Sequence, residues 1–273
     1  MGQVVHTLPQ GPPVAVCGIT SLEDEIYVLT DKECEEVEVY DVITYQLLRC
    51  LTVPDSRGFA DITSCEHYRC VYIADYIIEY VYRLDAQGAA TQWPVNNEPA
   101  GLSVNKAHNV VITCPVVQKI KEFSSDGKLL RELILPDDVV TPWHAIQLTS
   151  GQFIVCHGNR CDEVNRVCMI SADGRHIVRS HGGQRGSNTG QYNGAAHLAV
   201  DDNEFVFAVD INNRRVTLLS PTLDYIRQAA TQDKLQWWPH HLHLDVRRQR
   251  LYVAETEGQG VSFTRSRVVV FSV

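Results

Sequence analysis

One pattern recurs six times along this chain and limits what it can fold into. Each unit contains a short apolar segment, a turn, a strand such as VYIAD or VFAVD, a loop and a further strand. A repeat of roughly 40 to 50 residues made of short strands is typical of propellers, whose blades are four-stranded antiparallel sheets. The first apolar residues of the six units are Ile19, Ile62, Leu102, Ile146, Leu198 and Leu242.

The strands and turns of these units predict an all-β fold. Segments such as IYVLT and RVVVFSV are rich in β-branched and aromatic residues, and turn sequences such as SSDGKLL separate them. We predict one six-bladed β-propeller over residues 1–273, in which residues 3–9 supply the outer strand of the sixth blade and close the ring. The predicted blades cover about residues 13–53, 54–95, 96–135, 136–182, 183–231 and 232–273.

Composition narrows the class of protein. With 44% hydrophobic and 21% charged residues, the chain resembles ordinary soluble globular proteins, and its net charge of -9 argues against a protein that mainly coats nucleic acid. The chain has no apolar run long enough to predict a membrane span, and its start lacks the features of a secretion signal. Its nine cysteines include no C-x-x-C pair, so we predict reduced thiols and a cytoplasmic location. In an exported protein, Cys65 with Cys70 and Cys156 with Cys161 would be the candidate disulfides.

Unit five, GQYNGAAHLAVDDNEFVFAVDINNRRVTLLSP, resembles the NHL repeat, and the other five units resemble it more loosely. The resemblance implies a six-bladed NHL-type propeller similar to the propeller domains of TRIM-type ubiquitin ligases, which bind protein or RNA. More distantly, the chain is similar to peptidylglycine amidating lyase. The matching residues of unit five are Gly190, Leu198, Val200, Asp201, Asp210, Asn213, Arg215 and Val216.

In a propeller of this type the first strand of each blade lines the central channel, and ligands gather on the rim that the neighbouring loops form. Histidine is concentrated at this channel mouth in blades four to six. Structural roles stay open for the same residues, because histidine can bond a loop carbonyl, a carboxylate can brace an arginine and tryptophan can pack between blades. The predicted ligand-binding residues are His144, His157, His197, His240, His241, Trp143, Trp238, Asp75, Asp210, Glu255 and Arg166.

Two of these histidines suggest a metal site. His144 and His240 are expected at the same height in blades four and six, and Asp61 stands next to that position in blade two. The amidating lyase carries three zinc-binding histidines on alternate blades, but here Ala60 takes the place of the third. A mixed site of His144, His240 and Asp61 for a divalent metal, zinc or calcium, is therefore a prediction based on ligand chemistry.

Three functions follow from these features, and whether the protein is an enzyme stays open. The first is a non-catalytic interaction propeller that binds a protein segment or a small ligand at the channel-mouth rim. The alternative is a metal-dependent lyase or hydrolase with its His/Asp site at the mouth of the channel. The third is an RNA-binding NHL domain, which is less favoured because acidic residues such as Glu163 and Glu257 stand among the arginines of the rim.

Overall fold

The computed structural model describes residues 2–8, 15–31, 36–158, 161, 163–258 and 265–273. Within these ranges all regular structure is β, and it forms six antiparallel sheets of four strands each. The chain is therefore a six-bladed β-propeller, as the repeat spacing predicts. Among the described residues no helix is long and apolar enough to cross a membrane, and no disulfide joins the cysteines.

The first five sheets each use four consecutive strands, taken from the inner to the outer edge. Blade one holds β2 Ala15–Leu22, β3 Glu25–Asp31, β4 Glu36–Asp41 and β5 Leu47–Thr52. Blade two holds β6 Phe59–Cys65, β7 Cys70–Asp75, β8 Tyr80–Asp85 and β9 Ala90–Pro94. Blade three holds β10 Gly101–Val104, β11 Val110–Cys114, β12 Lys119–Phe123 and β13 Leu129–Ile134.

The remaining blades follow the same order until the ring closes. Blade four holds β14 Pro142–Gln147, β15 Phe153–His157, β16 Val164–Ile170 and β17 Ile177–Gln184. Blade five holds β18 Ala195–Val200, β19 Val206–Asp210, β20 Arg215–Leu219 and β21 Tyr225–Ala230. Blade six holds β22 Trp238–Asp245, β23 Arg250–Glu257 and β24 Arg265–Ser272, and its outer strand is β1 Val4–Leu8.

The two ends of the chain meet in blade six. β1 pairs antiparallel with β24, with Thr7 opposite Val269 and Leu8 opposite Val268. The inner strands also contact one another around the whole ring, and β22 of blade six touches β2 of blade one. A strand from the beginning of the chain thus covers the sheet edge that β24 would otherwise expose.

The core lies between the blades. The second strands are buried along their whole length in β11, β15 and β19, because each blade packs both faces against its neighbours. One cluster joins Leu29 and Val37 of blade one to Ile73 of blade two, and another joins Val28 of blade one to Val268 of blade six. Burial on both faces explains why these strands read as continuous apolar runs rather than as alternating ones.

A one-residue irregularity near the start of five of the first strands positions the channel. In β14, Pro142 lies opposite His157 and His144 lies opposite Cys156, so Trp143 is an extra residue. Shifts at the same place occur in β2, β6, β18 and β22. A bulge of this kind bends a strand and re-aims the next side chain. In each bulged strand, this side chain belongs to the residue that follows the extra one; β10 has no bulge, but its pairing with β11 gives Gly101 the same place. These six residues lie at one level of the channel: Gly18, Asp61, Gly101, His144, His197 and His241.

Candidate functional site

A cavity of about 880 Å³ opens at one end of the channel. The starts of the first strands supply part of its wall, including Phe59, Trp143 and Trp238. The loops between second and third strands supply Tyr76 and Val116, which are 46% and 71% exposed. The cavity therefore has a largely apolar wall that is open to solvent, and its volume falls within the range of small-molecule pockets.

Five of the eleven predicted ligand-binding residues line the described wall of the cavity, and six do not. His144 lies just below the cavity, at the level of Asp61, and both side chains are almost fully buried. His157, Asp75, Asp210, Glu255 and Arg166 are not part of the described wall. The five predicted residues that line the cavity are Trp143, His197, Trp238, His240 and His241.

At the inner end of the cavity, Asp61 meets His144, His197 and His241; we call these four residues the channel floor. Asp61 extends from blade two toward His197 on the opposite side of the ring, whose Nε2 lies 3.3 Å from both carboxylate oxygens. The Nε2 atom of His144 lies 3.7 Å from Asp61 Oδ2, and that of His241 lies 3.9 Å from Oδ1. Backbone N–H groups of Ile62 and Leu102 also donate to the carboxylate, each at 2.8 Å.

Burial dominates the electrostatics of the channel floor. It lowers the pKa of His144, His197 and His241 to about 3 each, so these imidazoles are neutral at neutral pH. Burial raises the pKa of Asp61. Asp61 makes no ion pair with a lysine or arginine among the described residues. A buried carboxylate is costly unless a positive charge or several hydrogen bonds compensate it, and here the protein supplies hydrogen bonds only.

The hydrogen bonds of the histidines indicate their tautomers. His144 Nε2 lies 2.9 Å from the carbonyl oxygen of Leu102, and His241 Nε2 lies 3.2 Å from that of Ala60. A carbonyl oxygen only accepts, so each Nε2 carries the proton and donates. The Nδ1 atoms of His144, His197 and His241 are buried and have no partner within the described protein.

The expected equivalence of His144 and His240 is wrong. His240 is the extra residue between Pro239 and His241 in β22, just as Trp143 is the extra residue in β14. His144 therefore corresponds to His241, and Ala145 rather than Ile146 takes the first apolar position of its unit. The sequence alignment misses this because the bulge cannot be seen in apolar spacing. His240 lines the cavity instead, and the third residue grouped with Asp61 and His144 is His197.

The three carboxylates at the ends of the second strands brace loops. Asp210 accepts 2.8 Å hydrogen bonds from Arg215 Nε and from the backbone N–H of Asn193. Asp75 accepts from the backbone N–H groups of Arg57 and Ile77 at 2.6 and 2.9 Å. The carboxylate of Glu255 pairs with Arg267 and accepts from the backbone N–H of Trp237. These contacts hold the rim loops in place, which is the structural role considered for them in the sequence.

His157 and Arg166 have contacts within blade four. The His157 side chain is buried inside blade four, where its Nε2 lies 3.4 Å from the sulfur of Cys168. Arg166 faces His157 across the pairing of β15 with β16.

Two glycines complete the level of the channel floor, and the sequence did not single out either as functional. An added Cβ at Gly101 would lie on the carbonyl oxygen of Trp143 and 2.8 Å from the His144 ring. An added Cβ at Gly18 would lie 2.9 Å from Ile62 Cγ2 and 3.4 Å from Asp61 Oδ1. The two blades beside Asp61 therefore carry no side chain at this level. The signal was present in the sequence as Gly before an aligned apolar residue in units one and three.

Comparison with solved structures supports the propeller class. Streptogramin B lyase superposes with a TM-score of 0.66 at 11% identity, over 97% of each chain. Virginiamycin B lyase from Staphylococcus aureus, a catalytically inactive histidine-to-alanine variant with quinupristin, gives 0.64 at 12% identity over 98% of each chain. The β-propeller domain of Cps50 (Swd1) from Myceliophteria thermophila gives 0.62 at 11% identity over 100% of each chain.

These likenesses concern the fold alone, because the identities are low. No family model matches the chain, and no curated protein matches it either. The chain is similar in architecture to both lyases and to the Swd1 β-propeller domain, while its resemblance to the NHL repeat stays a prediction.

Proposed function

We propose that the protein is an interaction propeller that binds the apolar part of its ligand, a small molecule or a side chain of a protein segment, in the cavity at the channel mouth. The observation that carries this proposal is the cavity of about 880 Å³, with its apolar wall and exposed rim. Tyr76, Val116 and Trp143 keep 46%, 71% and 36% of their surface exposed around it. Exposed apolar groups gathered at one concave place are typical of binding sites.

Three histidines add polar groups to the apolar wall of the cavity. His197, His240 and His241 line it, and their pKa values are lowered by burial to about 3 to 4. A ligand therefore meets neutral imidazoles rather than positive charges. A few polar groups at the bottom of an apolar pocket orient a ligand, while the wall supplies most of the contact area.

RNA is a weaker candidate for this site. No lysine or arginine is found in the described wall of the cavity, and Glu98 lies on it. Nucleic-acid sites depend on positive charge to neutralise phosphates. The metal-dependent lyase or hydrolase stays a prediction, since it needs a metal ion in addition to the cavity.

The structural relatives are consistent with ligand or partner binding on this fold. One structurally similar protein, virginiamycin B lyase, was solved with quinupristin. The Swd1 domain is a propeller of similar architecture. Propellers of one architecture serve unrelated functions, so support for the proposal comes from the cavity rather than from these relatives.

Filling the cavity tests the proposal. Ala196 lies on its wall, so Ala196→Trp should occupy the space a ligand needs. Ala89 is exposed in the turn before β9, so Ala89→Trp is the matched control. With the uncharged fluorescent dye Nile red as probe, we expect wild type and Ala89→Trp to bind equally. We expect Ala196→Trp to bind at least about 10-fold more weakly, the equivalent of about 1.4 kcal/mol.

Circular dichroism and a thermal melt establish that both variants keep the fold. Equal dye binding by all three proteins would show that the dye sits elsewhere and would contradict the proposal. If the cavity variant alone loses binding, displacement of Nile red becomes the assay for ligand screening.

A further inference from the structure

We propose that the channel floor is a binding site for one divalent zinc ion, with Asp61, His144, His197 and His241 as its four ligands. This site differs from the set expected from sequence, because His197 and His241 replace His240. It does not depend on which ligand fills the cavity above it.

Distances between the donor atoms support this assignment. One ligand atom from each of Asp61, His144 and His197 lies within 4.8 Å of the other two. The Nε2 atoms of His197, His144 and His241 lie 3.3, 3.7 and 3.9 Å from oxygens of Asp61. Ligand atoms around a tetrahedral zinc with bonds of about 2.0–2.1 Å are separated by about 3.3 Å. The grouping of Asp61, His144 and His197 allows separations of up to 4.8 Å and does not include His241. Zinc binding therefore requires these three groups to move closer together, and it requires His241 to approach them as the fourth ligand.

The charge of the site is an independent argument. Asp61 is 1% exposed, and the histidines around it are its nearest potential cations among the described residues. A bound cation would offset the cost of burying the Asp61 charge, as Arg215 does for Asp210. The donor set also selects the ion, because three imidazoles and one carboxylate suit zinc. Calcium requires six to eight oxygen ligands, so the calcium alternative does not fit.

The two glycines at the same level leave room around the ligands. Gly18 and Gly101 stand on either side of Asp61 in the ring, in blades one and three. A side chain at Gly101 would collide with the His144 ring, and one at Gly18 would approach the Asp61 carboxylate. The carboxylate can therefore reach past its neighbours to His144, His197 and His241.

Two hydrogen bonds that the histidines make without metal limit the affinity of the site for zinc. Nε2 of His144 and of His241 donate to the carbonyls of Leu102 and Ala60, and zinc would replace both bonds. Each proton would then move to Nδ1, which has no acceptor within the described protein. Metal-bound histidines generally donate their second N–H to a partner, so we expect binding about 10- to 100-fold weaker than at a site with complete second partners.

Zinc titration of the full chain after removal of metals with a chelator tests the proposal. We expect wild type to bind one zinc per molecule, measured by competition with a chromophoric chelator, and its melting temperature to rise with zinc. His197→Ala and His241→Ala should each weaken binding at least about 100-fold. His240→Ala is the matched control, since it removes the neighbouring cavity histidine and should leave the affinity within about threefold.

Cobalt substitution provides a second measurement, because tetrahedral Co²⁺ with nitrogen and oxygen ligands has a characteristic visible spectrum. Should His197→Ala fail to fold, His197→Gln with the cobalt spectrum replaces it. Zinc that persists in His197→Ala and His241→Ala would be held elsewhere, for example by cysteine, and would overturn the assignment. Absence of stoichiometric zinc in wild type, or equal losses in His240→Ala and His241→Ala, would overturn it as well.

Discussion

Two buried aspartates of this propeller have opposite surroundings. Asp210 in blade five and Asp61 in blade two are 0% and 1% exposed. Asp210 accepts hydrogen bonds from Arg215, Asn213 and a backbone N–H, which satisfy its charge within one blade and its loop. Asp61 accepts hydrogen bonds from two backbone N–H groups. Histidine side chains from three other blades lie 3.3 to 3.9 Å from its carboxylate oxygens.

The difference separates a structural carboxylate from one available for binding. Burial raises the pKa of both groups, but Arg215 is permanently charged and opposes that rise at Asp210. The neighbours of Asp61 are neutral at neutral pH, because burial lowers the pKa of His144 and His197 to about 3. Arg215 therefore compensates part of the cost of burying Asp210, whereas Asp61 gains most when a cation joins it.

The largest expected effect is at the paired carboxylate. Arg215→Ala leaves Asp210 buried without its cation, and we expect the free energy of unfolding at pH 7 to fall by about 3–5 kcal/mol. Urea denaturation followed by circular dichroism measures it. Arg227→Ala, on the outer strand of the same blade, is the control and should cost less than about 1 kcal/mol. Similar losses in both variants would mean that the ion pair contributes little.

The next effect concerns the room around Asp61. Gly101→Ala places a methyl group against the Trp143 carbonyl and the His144 ring, so we expect a loss of about 1–3 kcal/mol in the free energy of unfolding. The added methyl group of Gly18→Ala would lie 2.9 Å from Ile62 Cγ2 and 3.0 Å from Ile62 N, which are less severe contacts than those at Gly101, so it should cost less. Thermal and urea unfolding of both variants compare them. If the two substitutions are equally tolerated, the ring has more space at this level than the contacts indicate.

A third carboxylate extends the comparison to pH. Glu122 is buried, yet hydrogen bonds from Asn109, Arg131 and Asn105 outweigh that burial and lower its pKa. Its contribution is therefore complete above the unfolded pKa of about 4.3 and is lost as the pH falls through the folded value. We expect Glu122→Gln to cost about 1–2 kcal/mol at pH 7 and clearly less at pH 3 in urea unfolding. A cost that does not change with pH would contradict the ionised state of Glu122.

The smallest effect is expected at the unpaired carboxylate. In metal-free protein, Asp61→Asn keeps an acceptor for a backbone N–H and removes a buried charge. We expect the free energy of unfolding to change by no more than about 1 kcal/mol. Asp210→Asn leaves Arg215 without its anion and should cost several times more. If urea unfolding gives equal costs for the two substitutions, the two carboxylates do not differ in how far the protein compensates their charge.

The sequence predicts the architecture well because the blade is a repeated unit. Spacing of apolar residues and β-rich strands is enough for six blades and an all-β fold. The blade limits are harder to place, as β17 runs to Gln184, past the limit expected near residue 182. Strand ends depend on local hydrogen bonding, which a repeat pattern does not encode.

The site is less predictable, because one bulge changes which side chain faces the channel. The sequence directs attention to the segments WHAI and PHHL, but it pairs His144 with His240, whereas the strand register pairs His144 with His241. Whether a strand contains a bulge depends on its pairing with the next strand, and the letters of the segment are compatible with either register. Asp61 enters the predicted metal site only because it stands next to Ala60, whereas the structure places its carboxylate among His144, His197 and His241.

The pairing of β1 with β24 has a consequence for the order of assembly. β1 must wait until β24 has been synthesised, because Leu8 pairs with Val268. Contacts between such distant residues carry a high loop-closure entropy and form slowly. A state in which five blades are complete and β1 has not yet docked would expose β24 as an edge. Final closure, rather than formation of the blades, is then the step most vulnerable to aggregation.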